Sequence, residues 1–238
     1  MHDLFCTLQT RCANDRRTMI GIWAVIPVKE MEGSKQRLSS LLTPPQRQGL
    51  AQAMLMDVLD AAFGARDLAG IILVTRDPFA TKLGQDMGAH ILTDGARDGH
   101  TGAVTAAAHR LVAEGGHTML TMPGDIPRVT AEEIQTAIAH HSPMAPAFTI
   151  CPAHDEKGSN CIIMTPPDSV PLRFGEDSYF PHLAAARKLD IDPTIVPLPG
   201  IGMDIDHPED IFRFMRMRPQ VRTRTLDFLQ SAGITPPD

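Results

Sequence analysis

The sequence contains few of the features that mark nucleic-acid-binding proteins. Its 238 residues include one Trp and one Tyr, and the net charge is −6. No basic run is interleaved with aromatic residues, which argues against a nucleic acid as the main partner, because a phosphate backbone requires a positive surface. The hydrophobic fraction of 43% is ordinary for a globular protein and permits a sizeable core.

Cysteines and long apolar segments are also scarce. The four cysteines form no C-x-x-C pair, so we expect free thiols in a reducing compartment. No apolar run approaches the ~20 residues of a membrane span, and the first residues lack the apolar segment of a secretory signal. We therefore expect a cytoplasmic protein with neither membrane nor nucleic acid as a partner. Residues 1–20 are predicted to form a loose N-terminal extension.

The rest of the chain alternates apolar strands with helices. The run Ile22–Val28 is typical of a strand buried on both faces, and helix-spaced apolar residues follow over Gln46–Phe63. This alternation predicts one α/β domain over residues 21–218, with a mostly parallel central sheet and helices on both faces. A capping box is predicted at Thr130 and Glu133, and the tail from 219 to 238 contains one short predicted helix. Further strands are predicted at 71–74, 90–92, 118–122, 147–151, 161–164 and 194–196, and further helices at 79–87, 101–114, 178–188 and 208–217.

Three aspartates follow predicted strands at positions where ligands of such sheets bind. Asp125 stands in "PGDIP", and Asp204 and Asp206 stand in "MDIDHPED". Two residues apart in extended chain, Asp204 and Asp206 share one face, and carboxylate oxygens are ligands that suit Mg²⁺. For each aspartate alone, a turn or helix-capping role is the alternative. The three together favour a metal site.

Two further groups of residues suit anions. Lys29, Lys35 and Arg37 lie in the loop "PVKEMEGSKQRL", where a glycine near lysines can hold phosphates, although a solvated basic loop is the alternative. Ser178 is predicted to cap a helix whose first turn can bind an anion, and simple capping is the alternative there. No Ser-His-Asp order or G-x-S-x-G turn is present, so the sequence gives no support to nucleophilic catalysis.

In order and spacing, "AVIPVK…GSKQRL", "PGDIP", "KGSN", "FGEDSYFPHLAAAR" and "MDIDHPEDI" resemble the CofC/FbiD guanylyltransferases of coenzyme F-420 biosynthesis. The resemblance covers roughly 22–217 and implies a nucleotidyltransferase A-type, Rossmann-like fold. It implies GTP and a small phosphorylated carboxylic acid as substrates and Mg²⁺ as the cofactor. The acceptor acid would be phosphoenolpyruvate, 3-phosphoglycerate or 2-phospholactate. The implied roles are catalysis by Lys35, Arg37 and Asp125; nucleotide binding by Pro27, Lys29, Lys35, Arg37, Thr101 and Asp125; acceptor binding by Ser159, Asn160, Gly175 and Ser178; and metal binding by Asp125, Asp204 and Asp206.

Two elements depart from the family pattern, and other functions stay open. The chain has "GHTGAV" where the family has a "GLNAA" loop, and "FGEDSY" where the family has "FGPGSF". The alternative enzymes are a molybdenum-cofactor guanylyltransferase and a sugar-phosphate nucleotidyltransferase, although their G-G-x-G-x-R loop is absent from Val28–Leu38. A non-catalytic nucleotide-binding protein would be expected to lose the metal aspartates. Oligomeric state stays open, with a homodimer as one alternative.

Overall fold

Seven strands and seven helices alternate in the computed structural model, which describes residues 21–175, 177–217 and 222–237. The predicted extension over residues 1–20 lies outside these described residues. The strands are β1 (Ile22–Val28), β2 (Leu68–Thr75), β3 (His90–Leu92), β4 (Thr118–Thr121), β5 (Ala147–Pro152), β6 (Ser159–Thr165) and β7 (Thr194–Ile195). The helices are α1 (Pro44–Gly64), α2 (Pro78–Met87), α3 (Gly99–Ala113), α4 (Ala131–Ala139), α5 (Tyr179–Arg187), α6 (Pro208–Arg216) and α7 (Arg224–Ser231), with a 3-10 turn at Gln36–Leu38.

All seven strands form one sheet, in the order β3-β2-β1-β4-β6-β5-β7. Strand β1 pairs in parallel with β2 and β4, and β2 pairs in parallel with β3. Only β6 runs against its neighbours β4 and β5, whereas β5 and β7 are parallel. The predicted mostly parallel α/β sheet is confirmed. Because β6 is reversed, its first residues reach the edge of the sheet at which β1 and β4 end.

Side chains of the central strands alternate between two apolar cores, as residues of a sheet covered on both faces do. Ala24 and Ile26 of β1 face a core shared with α1, α2 and α4. Trp23 and Val25 face the opposite core, which α3 and α5 cover. The continuous apolar sequence of β1 therefore reflects burial on both sides, and the predicted helices on both faces are confirmed.

The C-terminal helix packs on the domain through a third apolar core. Leu229 of α7 and Phe214 of α6 are buried there against Leu50 of α1. The Asp57 carboxylate of α1 accepts hydrogen bonds from the first backbone N–H groups of α7, those of Arg224 and Thr225, both at 2.9 Å. The helix predicted in the tail therefore exists, and its described residues share a core with the predicted domain.

Local capping explains where the structure differs from the predicted helix bounds. Helix α1 begins at Pro44, two residues before the prediction, because Thr43 and Gln46 form a capping box. The reciprocal capping box predicted for α4 is wrong. Thr130 does accept from the Glu133 N–H, but the Glu133 carboxylate accepts from the N–H groups of Gly200 and Ile201, at 2.7 and 2.9 Å. Tertiary donors therefore hold the Glu133 carboxylate away from the helix start.

Candidate active site

A wide cleft of about 1290 Å³ opens at the carboxyl ends of β1 and β4. Its lining comes from the loops after β1 and β4, the start of α3, the start of β6, and the segments that precede α5 and α6. All residues for which the family resemblance implies a role line this cleft: Pro27, Lys29, Lys35, Arg37, Thr101, Asp125, Ser159, Asn160, Gly175, Ser178, Asp204 and Asp206. The structure therefore brings the whole predicted set together, while the role of each residue stays a prediction.

Lys35 is the centre of the charged side of the cleft. Its ammonium donates to Asp125 Oδ2 at 2.5 Å, to Asp206 Oδ1 at 2.7 Å and to the Ile205 carbonyl at 2.7 Å. A backbone hydrogen bond from Ile205 N–H to the Asp125 carbonyl, 3.1 Å long, joins the two carboxylate-bearing segments. Lys35 itself adopts a left-handed conformation with φ 51°, which turns its side chain at the start of the 3-10 turn.

This cluster shifts the pKa of both kinds of group. Burial on its own would lower the pKa of the Lys35 ammonium, but the charges of Asp125 and Asp206 outweigh it and raise that pKa above its ordinary value. Burial would raise the pKa of Asp206, yet Lys35 and then Arg37 bring it below its ordinary value. A single ammonium thus bridges the carboxylates of Asp125 and Asp206.

Asp204 lies beside this cluster but is held by a different partner. Its Oδ1 accepts from the Asn160 side-chain amide at 3.0 Å, and the same amide donates to the Ile201 carbonyl at 3.0 Å. Burial, followed by the nearby charge of Asp125, raises the pKa of Asp204 to about 6. Asn160, at the start of β6, thus fixes one carboxylate that has no cation beside it among the described contacts.

The raised pKa of Asp204 predicts a pH-dependent cost to stability. Since the folded protein holds this proton more tightly than the unfolded chain, stability falls as pH rises from about 4 to about 6. In a buffer without divalent cations, Asp204→Asn is expected to be more stable than the parent at pH 7, by about 1 kcal/mol after allowance for solvent screening. Thermal denaturation at pH 7 and pH 4 checks this, because the difference should disappear at pH 4. Asp168→Asn, on the exposed surface, is the matched control, and an Asp204→Asn protein less stable at pH 7 would contradict the expectation.

The donor set of the charged side is compatible with Mg²⁺. Two carboxylates converge on one cation, the Lys35 ammonium, and hard carboxylate oxygens with added phosphate and water oxygens are what Mg²⁺ accepts. Within the described ranges, no three His, Cys, Asp or Glu side chains are grouped so as to hold a metal ion. Asp125 and Asp206 are therefore the two carboxylates that share one cation, whereas the Asp204 carboxylate binds the Asn160 side chain.

The loop that carries Lys35 is fastened at several points. Asp77, which caps α2, accepts from the Met31 N–H at 2.9 Å, and the buried Arg47 donates to the Ser34 carbonyl at 3.3 Å. Lys29 and Arg37 line the cleft from the same loop, and Arg37 Nη1 lies 3.9 Å from Asp206 Oδ2. Asp77 and Arg47 were not singled out in the sequence, because their partners are backbone groups that no side-chain motif reveals.

Ser159 and Ser178 form a second part of the lining, the hydroxyl side of the cleft. Ser178 precedes α5 at the predicted N-cap position, but its hydroxyl makes no capping bond and donates instead to Ser159 Oγ at 3.3 Å. The hydroxyl capping predicted for Ser178 is therefore wrong. Asp206 likewise does not cap α6: His207 is the N-cap residue, and the Asp210 carboxylate accepts from the N–H groups of Asp206 and His207.

An aromatic contact joins the two sides. The His100 ring at the start of α3 stacks on Phe174 with ring centroids 4.1 Å apart, and the Phe174 N–H donates to Thr101 Oγ1 at 2.9 Å. Burial lowers the pKa of His100 to about 4, so this ring is neutral at pH 7. His100 and Thr101 of the "GHTGAV" departure thus connect the start of α3 to Phe174 without adding a charge.

Comparison with known proteins identifies close matches over most of the chain. The sequence profile of the family described as "Guanylyl transferase CofC like" matches residues 22–236. A phosphoenolpyruvate guanylyltransferase from Rubrobacter xylanophilus is 31% identical over 82% of this chain and 93% of its own length. A 3-phospho-D-glycerate guanylyltransferase from Colwellia psychrerythraea is 31% identical over 79% and 88%. A 2-phospho-L-lactate guanylyltransferase from Methanothermobacter thermautotrophicus is 30% identical over 79% and 81%.

Solved structures support the fold. A crystal structure assigned provisionally as a nucleotide-diphospho-sugar transferase, from Desulfovibrio desulfuricans, superimposes with a TM-score of 0.71 at 20% identity, covering 89% of this chain and 95% of that one. At this identity the likeness concerns the fold alone. It agrees with the nucleotidyltransferase-like, single-sheet α/β architecture described above. Among the described residues, no helix has both the length and the apolar character needed to cross a membrane.

Proposed function

The chain belongs to the family of CofC-like guanylyl transferases, and from that premise we propose that it transfers GMP from GTP to a small phosphorylated carboxylic acid. Pyrophosphate is the second product, and the reaction serves coenzyme F-420 biosynthesis, as the resemblance implies. The observation that carries the proposal is that one cleft contains both a charged cluster and a pair of hydroxyl groups. The cluster of Lys35, Asp125 and Asp206 faces the hydroxyl pair of Ser159 and Ser178.

The proposed reaction requires no covalent intermediate with the protein. A phosphate oxygen of the acceptor attacks the α-phosphorus of GTP in line, and the bond from that phosphorus to the bridging oxygen of pyrophosphate breaks. The second pKa of a phosphate monoester is ~6, so the attacking oxygen is already ionised at pH 7 and needs no general base. This agrees with the pKa of about 4 of His100, the histidine that stacks in the cleft, because so low a pKa makes the ring a weak base.

Positioning and charge neutralisation carry the rate in this proposal. Lys35, Arg37 and Lys29 offset charge on the triphosphate, with Pro27 and Thr101 beside the nucleotide. Asp125 and Asp206, with Asp204 next to them, would hold a Mg²⁺ ion, which supplies further neutralisation at the phosphate oxygens. Such an ion and the Lys35 ammonium compete for the same carboxylate oxygens.

The acceptor acid lies, in this proposal, against the start of β6 and the segment before α5. Ser159, Asn160, Gly175 and Ser178 provide hydroxyl, amide and backbone groups to bind its oxygens. Lys157 and Asp177 line the same part of the cleft, which therefore contains side chains of both charge types. Hydrogen bonds from the hydroxyl and amide groups would distinguish between acids that differ by a small group.

The reaction is tested by pyrophosphate release from the purified protein with GTP, Mg²⁺ and one acid at a time: phosphoenolpyruvate, 3-phospho-D-glycerate or 2-phospho-L-lactate. ATP and CTP replace GTP as controls. We expect release with GTP and one acid, because the curated relatives differ in the acid that they are named for. Absence of release with all three acids from a folded protein that binds GTP would refute the proposal.

A further inference from the structure

A buried histidine lies directly behind the hydroxyl side of the cleft. His182 of α5 is only 1% exposed. Its Nε2 lies 2.9 Å from the backbone nitrogen of Arg173, and its Nδ1 lies 2.9 Å from Ser159 Oγ. The ring meets Phe174 edge to face, with centroids 5.2 Å apart. None of the sequence motifs assigned a role to this histidine.

The partners of the ring determine which nitrogen carries its proton. A backbone N–H can only donate, so Nε2, which receives the Arg173 N–H, must present its lone pair. In a neutral imidazole the proton is then on Nδ1, which donates to Ser159 Oγ. Burial lowers the pKa of His182 to about 4, and the ring is accordingly neutral at pH 7.

Counting hydrogen bonds at Ser159 shows what remains for a ligand. A hydroxyl has two lone pairs and one proton. Ser159 Oγ accepts from His182 Nδ1 and from the Ser178 hydroxyl, which uses both lone pairs. Its own proton has no acceptor in these two contacts, and Ser159 lines the cleft. The hydroxyl can therefore donate to a ligand but cannot accept from one.

We propose that His182 is a positioning residue that turns the Ser159 O–H into the cleft as a dedicated donor to an anionic oxygen of the acceptor acid. The inference rests on the proposed function. A carboxylate or phosphate oxygen accepts this proton, whereas a ligand hydroxyl or amine that must donate finds no free lone pair on Ser159. The Ser159 hydroxyl therefore distinguishes a ligand oxygen that accepts a hydrogen bond from a ligand group that must donate one. The discrimination is strong, because a ligand that must donate at this point leaves a buried polar group unpaired.

Kinetics of two variants at this position test the proposal. His182→Phe removes both hydrogen bonds, and we expect the KM for whichever of the three acids the parent uses to rise about tenfold. The KM for GTP should change less than about twofold. His182→Asn returns an N–H near the Nδ1 position and is expected to recover most of the loss. In a Ser159→Ala background, His182→Phe should add almost nothing, because its effect passes through the Ser159 hydroxyl.

A second, half-buried histidine provides the control. His141 lies within 2.9 Å of the hydroxyls of Thr149 and Thr165, and burial also lowers its pKa to about 4. It does not line the cleft. His141→Phe should lower thermal stability and leave the KM for the acid unchanged. An equal rise in both KM values for His182→Phe, or full additivity with Ser159→Ala, would overturn the proposal.

A measurement that needs no turnover separates this inference from the proposed function. Nitrogen-15 NMR of the histidine rings, assigned with the His182→Asn protein, reports which ring nitrogen is protonated. We expect His182 to carry its proton on Nδ1 from pH 6 to pH 8. A proton on Nε2, or on both nitrogens, would overturn the inference even if the enzyme is active. Failure of the parent protein to release pyrophosphate with any acid would refute the proposed function, while this spectrum would still decide the His182–Ser159 geometry.

Discussion

Asp125→Asn is expected to lower turnover by about a thousandfold, since it removes one of the two carboxylates that would hold the Mg²⁺ ion which balances the charge of the triphosphate. Asp125 Oδ2 is the shortest contact of the Lys35 ammonium, at 2.5 Å. The substituted amide has the same shape and keeps a carbonyl oxygen, so packing is preserved while one negative charge is lost. The backbone bond from Ile205 to the Asp125 carbonyl also remains, and the loop should stay in place.

The measurement is the dependence of kcat on Mg²⁺ concentration for the parent and the variant. We expect half-saturation by Mg²⁺ to move to at least about tenfold higher concentration, because one of two converging carboxylates is gone. Asp94→Asn, at an exposed position before α3, controls for the general effect of losing a carboxylate. A kcat within about threefold of the parent, with unchanged Mg²⁺ dependence, would refute the role given to Asp125.

Lys35→Met is expected to have two effects of opposite sign. Turnover should fall by about a hundredfold or more, because the ammonium that offsets charge on the leaving pyrophosphate is lost. The affinity of the substrate-free protein for Mg²⁺ should rise, since Asp125 and Asp206 no longer share their oxygens with an ammonium. A residue with a merely structural role would give no such gain.

Calorimetric titration of the substrate-free protein with Mg²⁺ checks the second effect. Lys82→Met, which removes an exposed lysine paired with Asp86, serves as the control and should bind Mg²⁺ like the parent. Weaker Mg²⁺ binding by Lys35→Met would show that the ammonium and the ion do not compete. The pH range of the titration should stay below pH 9, because the raised pKa of Lys35 keeps the parent ammonium charged there.

The sequence predicted the elements whose pattern is local. The bounds of β1 and β3 were predicted to the residue, because an apolar run between polar residues determines each. The short helix in the tail was also predicted, but its packing on α1 depends on Asp57 and Gly49, more than 160 residues away. A Cβ at Gly49 would lie 2.6 Å from the Phe228 ring, so that contact needs the glycine.

The location of the site at the carboxyl edge of the sheet was predictable from the sequence, but the contacts within the site were predictable only in part. Asp125 follows β4 as predicted, but Asp206 lies in the irregular segment between β7 and α6, so its predicted place directly after a strand is wrong. The backbone hydrogen bond from Ile205 to Asp125 brings the two segments together. That Lys35 bridges them could not be read from a chain in which these residues are 90 and 171 positions apart. The predicted Glu133 capping bond failed for the same reason, because the N–H groups of Gly200 and Ile201 compete for its carboxylate.

The reversed strand β6 has a consequence for how this enzyme family can diversify. In the proposed function, the residues that bind the nucleotide come from loops scattered between positions 27 and 125, whereas Ser159, Gly175, Ser178 and His182 all belong to one continuous stretch of the chain that begins with β6. Asn160 is the member of that stretch that also holds an aspartate of the other side. Under the proposed function, acceptor preference is a property of one stretch of about two dozen residues, which recombination could exchange between relatives provided that the contact of Asn160 with Asp204 is kept.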